Sequence, residues 1–185
     1  NILKSFSNKY TNAINFEHNF FIIEEYVDII LNNNGFSILK KEYYNDHSIM
    51  YFTILNQKKI THKTFPNLYE RNKNLVLNFF NFHENIVKDI NLKTKDFNGN
   101  LYLFGGHIFT QYLIKFGLDI SKVIGILDNC ENKNKTVLYG TKFIIDFPNI
   151  IKNKENIGIV LRACHYQDAI KKQLLKINKN VIIFE

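Results

Sequence analysis

Cysteine, proline and arginine are all scarce in this chain. Its 185 residues hold two Cys and two Pro, and only Arg71 and Arg162 carry a guanidinium group. Cys130 and Cys164 make no disulfide framework, and a chain of this length needs no such staple, so a reducing compartment is expected. Scarce arginine argues against a nucleic-acid reader, because the bidentate guanidinium is the usual contact to phosphates and base edges. The aromatics do not interleave with basic residues in the manner of an RNA-binding strand, so no nucleic-acid partner is expected. No apolar run reaches the roughly 18 residues of a membrane span, and the opening NILKSFSNKY has no signal-peptide pattern. A cytoplasmic chain with no membrane partner is the expectation. Among six His and two Cys there is neither H-x-x-x-H nor C-x-x-C, so no metal is expected.

What is present points to a folded enzyme-sized domain. The chain is 45% hydrophobic with 17 Phe and 10 Tyr, enough for a real core and too apolar for general disorder. Lys and Arg number 24 against 17 Asp and Glu, a formal +7. With 27 Asn alongside abundant Lys, Ile, Phe and Tyr, much of that balance reads as compositional drift carried on a solvated surface. It permits an anionic ligand without demanding one. The first residue is Asn and not Met, so the numbering is expected to open inside a longer gene product.

Periodicity divides the chain into three stretches: 1–56, 57–98 and 99–185. Ile22, Tyr26, Ile29 and Ile30 recur at helical spacing, and Gly35 supplies a C-cap, which predicts a helix over 23–34. FSILKKEYY (36–44) and SIMYFTIL (48–55) read as two strands that pair antiparallel. Tyr69, Val76, Phe79, Phe80, His83, Val87 and Ile90 trace one stripe of a long helix over 68–92. From 99 onward the style changes. LYLFGG, HIFTQYLIKFG and VIGILDN read as strand, helix and strand of a βαβ unit, whose apolar strands suit a parallel sheet. IGIVLRA, HYQDAIKKQLLKI and NVIIF repeat the pattern as a strand, a helix and a last strand.

Several residues of this α/β segment carry candidate chemistry. Gly105-Gly106 followed by a helix has the makings of a phosphate site, since glycines admit close backbone approach and a helix N-terminus offers free N–H groups. Asp128 ends the next strand 23 residues after Gly105, near the offset of a ribose-binding acid. No G-x-G-x-x-G accompanies them, so a tight turn at the glycines and a turn-capping role for Asp128 stand as alternatives. His107, in the first turn after the glycines, is a further contact candidate. Arg162 and Tyr166 follow a strand at the edge where open α/β sheets take ligands, with packing as their alternative role. Ahead of the first clear helix, Glu17-His18 could form a general base with its orienting carboxylate, with a structural or surface role as the alternative.

These pieces, in this order, resemble a known family over nearly all 185 residues. Asn15-Phe16-Glu17-His18 ahead of a helix and hairpin is similar to the back end of class I S-adenosylmethionine-dependent methyltransferases acting on nucleotide sugars. There a Tyr-His-Glu-His stretch carries a Glu and a His at the reaction centre. YLFGGHIFTQYLIKFG, GILDNCENKNKTVLYGT and VLRACHYQDAIKKQLL resemble the Rossmann-like C-terminal domain of the same enzymes. Asn15 and Phe16 depart from the Tyr and first His, and His107-Ile108 stands where the family often has Lys-Gly.

The resemblance implies an α/β chain: a Rossmann-like parallel sheet lobe, preceded by a long helix and by the terminal helix and antiparallel hairpin of a methyltransferase core. It implies methyl transfer to a carbon of a nucleotide-linked keto sugar. His18, oriented by Glu17, would take a proton next to the ketone, and the enolate would attack the sulfonium methyl. Gly105, Gly106, His107, Asp128, Arg162 and Tyr166 would lie on the substrate side. The cofactor, S-adenosylmethionine, would be bound by residues upstream of residue 1, so this chain alone is expected neither to bind it nor to be active. O-methylation of a sugar hydroxyl on the same scaffold, and a noncatalytic nucleotide- or sugar-binding module, are the alternatives.

Overall fold

The computed structural model describes residues 2–10, 14, 20–44, 48–56, 62–163 and 166–185. The chain divides into two compact units, Asn1–Phe80 and Asn81–Glu185.

In the first unit, helix α1 (Ile2–Ser7) precedes helix α2 (Glu24–Asn33). Strands β1 (Phe36–Tyr44) and β2 (Ser48–Leu55) then pair antiparallel, as their alternation predicts. Glu24 and Glu25 occupy the first turn of α2, where carboxylates complement the helix dipole. Gly35, at φ 79°, takes the left-handed conformation that ends the helix. One face of the hairpin is tied to α2 by charge: Lys41 Nζ reaches Glu24 at 2.8 Å and Asp28 at 2.6 Å, and the Tyr43 hydroxyl donates to Glu24 at 2.6 Å. The alternate positions Met50, Phe52 and Ile54 therefore fall on the opposite face, and all three are exposed. No described residue of α2, β1 or β2 is fully buried. The unit's buried cluster lies elsewhere, where Phe6 of α1 meets Phe79 edge-on at a ring separation of 5.1 Å.

Helix α3 (Tyr69–Thr94) extends from the first unit into the second. Phe79, His83, Val87 and Ile90 form its buried stripe at spacings of three and four. Tyr69, expected on the same stripe, is 62% exposed, and its ring lies beneath the Lys73 ammonium.

The second unit is a Rossmann-like layer. Strands β3 (Asn100–Phe104), β4 (Val123–Leu127), β5 (Ile145–Asp146), β6 (Ile157–Leu161) and β7 (Ile182–Phe184) form one sheet in the order β5-β4-β3-β6-β7. Every pairing in it is parallel. Helix α4 (Ile108–Lys115) joins β3 to β4, and helix α5 (Gln167–Ile177) joins β6 to β7. Strands β3 and β6 are apolar on both sides, and their side chains alternate between two cores. Leu101 and Leu103 pack with Val87, Ile90, Phe109 and Leu113 on the α4 face. Tyr102 and Phe104 pack with Ile151, Ile159, Leu161 and Leu174 on the α5 face. The crossover helices α4 and α5 thus lie on opposite faces, and the order in which strands are added reverses between β3 and β6. Open α/β sheets bind ligands at the carboxyl ends of such a strand pair.

Candidate functional site at the carboxyl edge of the parallel sheet

The site begins where β3 ends. Gly105 adopts φ 107°, a backbone conformation that disfavours any side chain. The space its Cβ would need is filled by the His107 ring, with Nε2 only 2.5 Å from that position. At Gly106 a Cβ would meet Ile145 Cδ1 at 2.6 Å. Gly105 is therefore required by its backbone conformation, and a side chain at Gly106 would press on Ile145. The Thr110 hydroxyl donates to the Gly105 carbonyl and fixes the turn to the first turn of α4.

Asp128, at the end of β4, reaches back to this turn. Its Oδ2 accepts the Gly106 N–H at 2.6 Å, and its Oδ1 accepts the Cys130 N–H at 2.8 Å. Lys133 Nζ lies 3.4 Å from the same Oδ2. The carboxylate thus occupies the position from which an anion would approach the Gly106 N–H, and its lone pairs are committed to backbone donors. Lys133 carries no signal in the sequence. A short 3₁₀ turn, Glu131–Lys133, brings it back beside Asp128.

His107 is the N-cap of α4, its Nδ1 accepting the Phe109 N–H at 3.1 Å. The residue as a whole is exposed, yet its ring covers Gly105 and lies parallel to Phe109, with 6.4 Å between ring centroids. Burial of the ring and the nearby Lys133 charge hold its pKa below the usual imidazole value, against a smaller opposing effect of Asp128. The cap therefore needs the neutral ring, because a protonated Nδ1 cannot accept.

The sign of the resulting pH dependence follows. The unfolded imidazole takes up its proton near pH 6.5, and the folded one only at lower pH. Stability contributed by the neutral cap is complete above about pH 6.5 and is lost as pH falls below it. Asn also caps helices but does not titrate. Urea unfolding at pH 7.5 and 5.5 is expected to show a larger loss for the native chain than for His107→Asn; equal losses would remove the cap from the account.

On the neighbouring strand, Phe104 pairs with Leu161, which puts Arg162 beside Gly105 in register. The Gln167 side chain closes the loop after β6, accepting from Ala163 N–H at 2.8 Å and donating to the Leu161 carbonyl at 3.0 Å. Sequence reasoning passed over Gln167, since a polar first helical turn looks the same whether or not it binds the preceding loop. Tyr166 stands at the start of α5 and is 72% exposed.

The structure therefore brings Gly105, Gly106, His107 and Asp128 into one cluster, with Arg162 adjoining across the strand pair. Glu17 and His18 lie outside the described residues, as do Cys164 and His165. Set against protein-family models and curated proteins, the chain matches none. Among the described residues no group of His, Cys, Asp or Glu is arranged to hold a metal ion, and no helix is long and apolar enough to cross a membrane.

The described sheet of the first unit is an antiparallel pair with no glycine turn after either strand. In the second unit the strand order is compatible with an S-adenosylmethionine-binding fold, but the acid ending β4 is already bound to the glycine turn.

Proposed function

We propose that this chain is the C-terminal portion of a methyltransferase acting on a carbon of a nucleotide-linked keto sugar, with the second unit as its substrate-side lobe. The observation that carries the reading is the reversal of strand order between β3 and β6. It sets Gly105, Gly106, His107 and Arg162 along one carboxyl edge, where an open parallel sheet takes a ligand. The order of elements supports it: helix, antiparallel hairpin, long helix, then a Rossmann-like lobe is the series implied by the resemblance. S-adenosylmethionine would supply the methyl group, held by residues other than those described.

This chain's own contribution is to bind, to orient and to take a proton. The lobe fixes the sugar nucleotide at its sheet edge and keeps water from the sugar. His18, steadied by Glu17, removes the proton from the carbon to be alkylated. Titration calorimetry of the 185-residue chain tests the binding half of this reading. A panel of uridine, thymidine and guanosine diphosphate sugars is expected to yield saturable binding for at least one nucleotide, with no heat from the free sugars. A chain silent to the whole panel would overturn the reading.

A further inference from the structure

The second unit offers an anion two sets of donors at its carboxyl edge, and they are not equivalent. The first is the glycine turn. Its Gly106 N–H is already bound to Asp128 Oδ2 at 2.6 Å, so an incoming phosphate would meet a carboxylate in the place of a free donor. Lys133, the nearest cation to that turn, is itself paired with Asp128.

The second is Arg162, whose Nε has no partner among the described residues. Val160 packs in the core on the α4 face, whereas Leu161 and Ala163 pack on the α5 face. Alternation along the chain therefore places Arg162 on the α4 face, the side toward which Gly105 also falls. Phe104 and Leu161 are the last pair between β3 and β6, so Gly105 and Arg162 each follow a strand end at the same carboxyl edge. Arg162 Nε is buried and has no hydrogen-bond partner. The guanidinium makes no ion pair with any described residue, whereas Lys41, Arg71, Lys133, Lys135 and Lys171 each have a carboxylate. A buried N–H donor left without an acceptor is uncommon in folded proteins, and an acceptor from outside is one way to complete it. A planar fork of N–H donors fits the paired oxygens of a phosphate.

We infer that Arg162, and not the glycine turn, is the anion contact of this lobe, and that its ligand is a phosphate or pyrophosphate group seated on the β6 side of the strand pair. The inference rests on the nucleotide-linked substrate proposed above and assigns the end of the molecule that carries the charge. Gly105 and Gly106 then serve packing, with Asp128 as the strap that holds them.

Calorimetric titration of the 185-residue chain with inorganic pyrophosphate at low salt tests it. Saturable binding is expected, weakened at least tenfold by Arg162→Gln. Arg162→Lys, which keeps the charge and loses the fork, is expected to fall between the two, and Lys133→Gln to change affinity less than twofold. Circular dichroism of each variant establishes that it is folded. Should Arg162→Gln disturb the fold, the comparison of Arg162→Lys with the native chain decides, and equal affinity there would overturn the inference. Full affinity in folded Arg162→Gln, or no pyrophosphate binding by the native chain, would also overturn it. A nucleotide sugar bound equally by the native chain and Arg162→Gln would overturn the Arg162 assignment and leave the proposed function standing. Silence toward both pyrophosphate and nucleotide sugars would remove both.

Discussion

Replacement of His18 by Ala in the intact enzyme is expected to lower turnover at least about 100-fold, the scale at which a positioned general base contributes. In the proposed reaction the proton to be removed would sit on carbon next to a ketone, where water would take it far too slowly to support catalysis. A base at hydrogen-bond distance converts that step to one of orientation. Imidazole suits the task because its ordinary pKa lies close to neutral pH, so it is free to accept without being a strong base. Glu17, the preceding residue, would hold the ring in one tautomer, and Glu17→Gln is expected to cost less than His18→Ala. Proton exchange separates the role from a structural one. With native enzyme, solvent deuterium enters the reacting sugar carbon; with His18→Ala that exchange stops while nucleotide-sugar affinity stays within about threefold. Exchange and turnover near the native rates in His18→Ala would exclude His18 as the base.

The elements of the fold were legible in the sequence wherever one face repeated. The α3 stripe from Phe79 to Ile90, the two strands of the hairpin and the βαβ run from Asn100 to Leu127 all stand where periodicity puts them. Helix α1 was not legible: six residues give less than two turns of pattern, and no acidic residue marks its first turn. The end of the long stripe misled at Tyr69, because periodicity shows which residues share a face but not how far along the helix that face stays buried. At the site, the residue types were readable and their roles were not. An acid closing a strand looks the same in sequence whether its lone pairs await a ribose or are already bound to Gly106 and Cys130. Lys133 escaped notice because a 3₁₀ turn, not a helix or strand repeat, carries it to Asp128. Arg162 was placed by its strand, but that it lacks a partner is a property of the packed molecule alone.

Asp128→Ala is expected to destabilise the second unit by about 2–4 kcal/mol, because two backbone donors lose a charged acceptor together. Gly106 is buried, so its N–H cannot turn to bulk water when the carboxylate is removed. The turn cannot relax toward another shape either, since Gly105 is already at positive φ beneath His107 and Gly106 lies against Ile145. Loss of the Lys133 ion pair adds little: Lys133 is partly exposed, and pairs of that kind contribute at most about 1 kcal/mol. Lys133→Gln is accordingly expected to cost less than about 1 kcal/mol. Asp128→Asn should recover part of the loss, because the amide oxygen can serve one N–H while its NH₂ group is pressed toward the other. Urea unfolding at pH 7.5 gives all three values. If Asp128 served a ligand and not the turn, Asp128→Ala would leave the unfolding midpoint unchanged and weaken nucleotide binding. A change under about 0.5 kcal/mol would therefore return Asp128 to the ligand side of the site and free the Gly106 N–H to receive a phosphate. The stability of this one variant thus decides which of the two adjoining strands, β3 or β6, supplies the anion's donors.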